Sequence, residues 1–274
     1  MESLTLLQTR RVRPAAVASQ FYPGDAAALA RTIDDLLARA PAASEKRQPK
    51  ALMVPHAGYV YSGAIAASAY VTLRPFARVI RRVVLLGPAH RVRVRGCALP
   101  EVDAFETPLG LVPVDQDAAC AIEGLPGVTR SARAHAPEHS LEVQLPFLQR
   151  VLEKFSLVPL VVGDANPREI VAMLGALWGG DETLFVISSD LSHYLPYSDA
   201  MRLDGETMGR IARLDERPLD HDMACGATPV NGMVLAARAH GLVPTVLDVR
   251  NSGDTAGSRD QVVGYAAVAF HERP

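Results

Sequence analysis

The chain has 274 residues, 49% of them hydrophobic and 21% charged, a globular balance that excludes a disordered polymer and can bury a large core. A formal net charge of −2 gives no basic footprint for nucleic acid or an anionic membrane, so neither is an expected partner. Three cysteines (Cys97, Cys120 and Cys225) do not make a disulfide framework, so a reducing cytoplasm is the expected location.

The N-terminal MESLTLLQTRRVR places its apolar part before its arginines, the reverse of a secretory signal, and no long apolar span is visible. Residues 1–12 read as a loose arm and 13–274 as a single domain. RPAAVASQFYPGD reads as a packed loop, and its Asp25 can cap a helix over AAALARTIDDLLARA, whose Leu29, Ile33, Leu36 and Leu37 share one face. After the polar linker PAASEKRQPK, ALMV (51–54) is a short buried strand that ends in the loop PHAGYVYSG, and a helix follows near Ile65 to Leu73. VVLLG (83–87) repeats the pattern, a strand running into Pro88, Ala89 and His90.

CALPEVDAFETPLGLVPVD suggests short strands or a hairpin, with Asp115 capping a helix through Ile122. A polar stretch carrying His135, Glu138 and His139 leads into LEVQLPFLQRVLEKF, an amphipathic helix entered or interrupted at Pro146. LVPLVVG (157–163) and TLFVISSD (183–190) are buried strands, separated by a helix from about Pro167 to Trp178. A helix over Asp199–Leu214, a loop over 217–228, a helix with Pro229 in its first turn and two final strands, VPTVLDVRNS and QVVGYAAVAFH, complete the chain. Strands alternating with helices predict an α/β protein with a mixed, mostly parallel sheet covered on both faces.

In such a sheet, ligands bind outside the carboxyl ends of the strands. His56, His90 and the group Ser188, Ser189, Asp190 and His193 each follow a predicted strand, and Cys225 lies in a loop just before a helix. Two imidazoles and a thiolate are competent metal ligands, and Asp190 can add a fourth; a helix N-terminus beside Cys225 would favour its thiolate. His193 stands three residues from Asp190, a spacing suited to a general acid or base. Glu138 and His139 are placed to orient a ligand histidine. Tyr59 and Tyr61 are candidates to line the pocket. Each residue also has a plainer reading: a packed histidine, a helix cap at Asp190 or Glu138, tyrosines packed beside a loop. The repeated position at strand ends makes a metal site the leading interpretation. A Cys225 nucleophile with His193 as base is a weaker alternative because it leaves His56 and His90 without a role. No G-x-S-x-G elbow, G-x-x-x-x-G-K-[ST] phosphate loop or G-x-G-x-x-G fingerprint is present.

RPAAVASQFYPGD, VPHAGYVYSG, LLGPAH, EHSLEVQLPFLQ, SSDLSHY and CGATPVNGMVLAA occur in the order seen in the Memo family, whose bacterial and archaeal members are called AmmeMemoRadiSam system protein B. From about residue 13 onward the chain resembles that family. The resemblance implies a three-layer α/β/α fold similar to LigB-type class III extradiol dioxygenases, which are non-haem Fe(II) enzymes using two histidines and a glutamate. His56 and His90 match the two histidine ligands, Cys225 takes the carboxylate position, His193 matches the acid/base histidine, and Asp190 is an additional candidate ligand. Ser19 departs from the small glycine often found in the first motif. A thiolate in place of the carboxylate shifts metal preference toward copper, zinc or thiolate-ligated iron. The expected function is therefore a cytoplasmic, metal-binding oxidoreductase with iron or copper, and zinc as a further option, acting on a small-molecule or peptide ligand. The alternative is a non-catalytic binding protein whose dioxygenase-like pocket takes a peptide or a partner of the radical-SAM and AMMECR-like system.

Overall fold

The central strands are apolar on both faces, and only a sheet covered on each side by helices can bury such strands. The computed structural model describes residues 10–41 and 46–273. In chain order its elements are β1 (Val12–Arg13), α1 (Ala26–Arg39), β2 (Pro49–Val54), α2 (Tyr59–Tyr70), β3 (Arg82–Pro88), β4 (Cys97–Leu99), β5 (Ala104–Thr107) and β6 (Gly110–Pro113). Next come α3 (Gln116–Glu123), β7 (Val128–Arg130), α4 (Ala132–His135), α5 (Leu145–Val151), β8 (Ser156–Val162) and α6 (Pro167–Ala176). The last are β9 (Thr183–Ser188), β10 (His193–Leu195), α7 (Tyr197–Ala212), α8 (Ala227–Ala239), β11 (Val243–Asn251) and β12 (Val262–His271).

The large sheet runs β10-β12-β2-β9-β3-β8-β4-β7, with β11 also paired to β12. Its centre, β2-β9-β3-β8, is parallel, while β12 and β4 join antiparallel on either side. Alternate residues of the central strands pack into separate cores, as the period of two requires. Leu52, Val54, Val83, Leu85 and Val186 face a layer containing α1, α2 and α5. Ala51, Met53, Val84, Leu86 and Ile187 face α3, α6, α7 and α8. This is the expected three-layer α/β/α arrangement of a mixed sheet. A second sheet, β1-β5-β6, contains the hairpin expected after Cys97. No helix among the described residues is long and apolar enough to cross a membrane.

Asp25 and Asp115 cap α1 and α3 through the main-chain N–H groups of Ala28 and Ala118, as their sequences predict. Three local expectations change and one element is added. Residues 1–9 of the expected arm lie outside the described residues, but Val12 is already paired with Ala104 in β1 and the Arg11 N–H donates to Asp103. Of the linker, residues 42–45 lie outside the described residues, whereas Pro49 and Lys50 belong to β2. Lys50 is buried, its ammonium donating to the carbonyls of Trp178, Gly180 and Thr183. The helix expected near Ile65 begins at Tyr59, because Gly58 ends the loop and its carbonyl accepts from Tyr61 and Ser62. Residues 193–195, given no element from the sequence, form an edge strand on the first residues of β12.

Candidate metal centre

Because β2, β9 and β3 lie side by side and parallel, their carboxyl ends open onto one edge. Two residues beyond each strand stand His56, Asp190 and His90. A third histidine joins them from a different source. His139 lies in the loop after α4, which approaches the end of β3 so closely that a Cβ at Gly87 would lie 2.7 Å from Ser140 Oγ. The Ser140 hydroxyl donates to the Pro88 carbonyl at 3.0 Å and fixes that approach. The ring centroids of His56, His90 and His139 are 4.5–5.5 Å apart. One donor atom from each lies within 4.8 Å of the others, close enough for all three to share one metal ion.

Hydrogen bonding selects which nitrogen each ring offers. Ser188 Oγ donates its one proton to the Ser140 carbonyl at 2.6 Å and accepts from the Gln144 amide at 2.8 Å. It can therefore only accept from His56 Nδ1, 2.9 Å away, so Nδ1 carries the proton and Nε2 is free to coordinate. Gln144 is held in turn by the Tyr70 hydroxyl and by the Pro55 carbonyl. His90 Nδ1 donates to Glu138 Oε1 at 2.9 Å, leaving its Nε2 as the coordinating nitrogen. Burial pushes the Glu138 carboxyl up, but hydrogen bonds from His90 and from main-chain N–H groups outweigh it and hold the group at about 2. Burial, reinforced by the neighbouring imidazoles, pushes His56 well below its ordinary value, and burial with the charge of His90 lowers His139 to about 4. Both rings are neutral near pH 7, the state that binds metal. His139 Nδ1 is buried 3.3 Å from Glu138 Oε1 but makes no aligned hydrogen bond, so it is a polar atom that a bound cation would satisfy better.

Cys225, expected as the third ligand, stands against this group, its Sγ 3.3 Å from His56 Nε2. The mutually close set of donors contains His139, assigned from the sequence to an orienting role, and not Cys225. The Cys225 loop is clamped to the end of β9. Its N–H donates to the Asp190 carbonyl and that of Gly226 to Ser189 Oγ, and a Cβ at Gly226 would lie 2.7 Å from Ser189 Cβ. Asp190 Oδ1 accepts from the His56 N–H at 2.7 Å, and Oδ2 lies 3.9 Å from His56 Nε2.

The Gly226 N–H at the start of α8 favours the Cys225 thiolate as expected, but in metal-free protein burial outweighs it. Burial first, and then the Asp190 carboxylate, push the thiol up to about 12. In metal-free protein at pH 7.5, Cys225 should react with iodoacetamide at least about tenfold more slowly than the exposed Cys120, as read by mass spectrometry of the two peptides. Equal rates would refute the thiol assignment. Burial likewise pushes the Asp190 carboxyl up, to about 7.

His193 lines two cavities beside the histidines. Its Nδ1 lies 2.9 Å from the Leu191 carbonyl, so Nδ1 carries the proton and the neutral ring keeps Nε2 as its base; burial lowers its pKa. The two tyrosines separate because residues two apart on a helix point in nearly opposite directions. Tyr61, 39% exposed, lines a cavity of about 600 Å³ with Phe21, His56, His139, His193 and Tyr194. Tyr59, expected there as well, is 5% exposed and belongs to the core: it packs on Tyr22 and Phe147, and its hydroxyl donates to the Val143 carbonyl.

The supports Ser140, Glu142 and Gln144 were not singled out from the sequence. Their signal was alternating polar residues at the start of an otherwise apolar helix, SLEVQLPFL. Glu142 is fully buried and binds Arg13, Tyr22 and the N–H groups of Ala16 and Val17.

A family model described as Memo-like protein matches residues 13–269. A MEMO1 family protein of Aquifex aeolicus is 37% identical over 271 residues, covering 95% of this chain and 99% of that protein. One from Pyrobaculum arsenaticum is 34% identical over 280 residues, covering 95% and 99%. Among solved structures, an uncharacterized Escherichia coli K12 protein, JW3007, matches with a TM-score of 0.52 over 80% of this chain and 99% of its own; at 16% identity the likeness concerns the fold.

Proposed function

The chain belongs to the Memo family, and we propose that it is a metal-dependent redox protein whose iron or copper ion is held by His56, His90 and His139. The observation that carries the reading is the convergence of three imidazole donors within 4.8 Å, two of them with hydrogen bonds that leave Nε2 unprotonated. Neutral imidazoles beside a thiol suit iron, copper or zinc better than magnesium or calcium, and Cys225 and Asp190 stand next to His56 as further donors. Bound there, iron or copper would supply Lewis acidity and one-electron chemistry.

The protein's own groups do the rest. Glu138 and Ser188 orient two rings, and Phe21 covers His139 at a centroid distance of 4.8 Å. His193, neutral and lining the cavity, accepts or returns a proton at Nε2. The ligand is a small molecule or peptide that fits the cavity beside His56 and Tyr61.

Metal content after purification without added metal, and after anaerobic loading with Fe(II) or Cu(I), tests the reading. Wild type should reach about one ion per chain, while His56→Ala and His139→Ala should hold little. Cys225→Ala separates a histidine-only set, which keeps the ion, from one that needs the thiolate. Equal low occupancy in all four proteins would sink the proposal.

A second reading, a binding protein for a partner of the radical-SAM system, is favoured by Tyr194. This cavity residue is 69% exposed and holds the left-handed φ of 58°, which strains a bulky side chain. Partner capture that survives His56→Ala but not Tyr194→Ala would support it.

A further inference from the structure

Between β3 and β4 the chain reads Arg91-Val92-Arg93-Val94-Arg95, with the arginines exposed, Val92 half-buried and Val94 buried. The chain bends at Arg91 and Val92 and reaches a single β-bridge at Arg95, which pairs with Asp164. Main-chain bonds fix the segment to the end of β8: the Asp164 N–H donates to the Val94 carbonyl at 2.9 Å, and the Gly96 N–H donates to that of Asp164 at 2.8 Å. The contact demands glycine at 163, where a Cβ would lie 2.0 Å from the Val94 carbonyl oxygen. The arginines therefore project from an anchored ribbon.

All three line a cavity of about 680 Å³ together with His90, Cys225 and Asp164. Arg91 lies near enough for its charge to act on His139. Elsewhere on the surface Arg78, Arg130, Arg150 and Arg217 each pair with a carboxylate. Among the described residues Arg91, Arg93 and Arg95 have no such partner. Three like charges on one ribbon repel one another until an anion lies among them. Three guanidinium groups around one cavity offer more donors than a single carboxylate can use.

We propose that Arg91, Arg93 and Arg95 recognise the ligand of the metal centre, and that this ligand is a polyanionic small molecule whose charge is carried by phosphate or carboxylate groups. Its charged part sits on the ribbon and the remainder lies beside His90; only this second placement rests on the metal-centre reading. Guanidinium forks suit both oxyanions, and charge-assisted hydrogen bonds give the recognition its strength.

Titration calorimetry at fixed ionic strength, with fructose 1,6-bisphosphate and with tricarballylate as probes, tests the proposal on metal-loaded protein. Wild type should bind at least one probe with one-to-one stoichiometry, the tighter probe identifying the carrier of charge. The Arg91→Gln/Arg93→Gln/Arg95→Gln protein should bind it at least about tenfold more weakly. Arg31→Gln/Arg39→Gln/Arg213→Gln, which removes the same charge from exposed positions elsewhere, should bind as wild type does. No binding of either probe by wild type, or equal affinity in both triple variants, would overturn the proposal. Metal content measured on the same samples keeps the two readings apart: a protein that binds the anion without holding metal defeats only the metal reading, and one that holds metal while ignoring both probes defeats only this one.

Discussion

Glu142→Ala is expected to destabilise the protein by about 3–5 kcal/mol, the cost of leaving one partner of a buried ion pair uncompensated. Glu142 is fully buried and Arg13 only 3% exposed. The carboxylate accepts from the Arg13 guanidinium at 2.5 Å, the Tyr22 hydroxyl at 2.5 Å and the main-chain N–H groups of Ala16 and Val17 at 2.8 and 3.0 Å. Arg13 would keep only carbonyl acceptors, those of His135, Pro14 and Glu138. Glu142→Gln, which retains one oxygen, should fall between the two. Chemical denaturation followed by far-UV circular dichroism gives the comparison; a loss under about 1 kcal/mol in the alanine variant would contradict this account. The segment pinned by Glu142, from Ala16 to Tyr22, contains Phe21, whose ring lies on His139, so the damage should reach the site as increased access to the histidines.

The second large effect is on metal affinity. Glu138→Ala removes the acceptor of His90 Nδ1, and with it the acceptor for the N–H groups of His90, His139 and Ser140. Losing such an orienting carboxylate typically costs 10–100-fold in metal affinity, and competition with a chromophoric chelator would measure it. Affinity within threefold of wild type would show that Glu138 merely caps the loop. Glu138 also leaves a mark in acid. Its folded pKa of about 2 lies below the ordinary 4.5. Its stabilisation is therefore complete above pH 4.5 and disappears as the pH falls toward 2. Glu138→Gln, which cannot titrate, should lose stability less steeply across that window.

The elements that position the site were legible because hydrophobic runs and caps are local signals. ALMV and VVLLG had to be buried strands, and the histidine after each proline then marked the carboxyl edge. What pairs across the fold was not legible in the same way. His139 sits in a polar loop without periodicity, and its approach to His90 depends on the missing side chain of Gly87, far away in sequence. Tyr59 and Tyr61 looked equivalent because the start of α2 was placed too late; once the helix begins at Tyr59, one faces Phe147 and the other the cavity. The charge state of Cys225 turned on burial beside Asp190, which no linear spacing reveals.

The order of the central strands has a consequence for biosynthesis. β2 and β3 follow one another in sequence, yet β9 lies between them, bonded to both. A growing chain that has emitted His56, His90 and His139 still lacks the strand that sets the spacing of the first two and carries Ser188, the acceptor for His56 Nδ1. The coordinating geometry therefore comes into being only after β9 has threaded between its neighbours, a late and long-range event of the kind that slows folding. Any metal held by these histidines would therefore be taken up only by the finished molecule, because a nascent or truncated chain ending before Thr183 lacks the strand that spaces them.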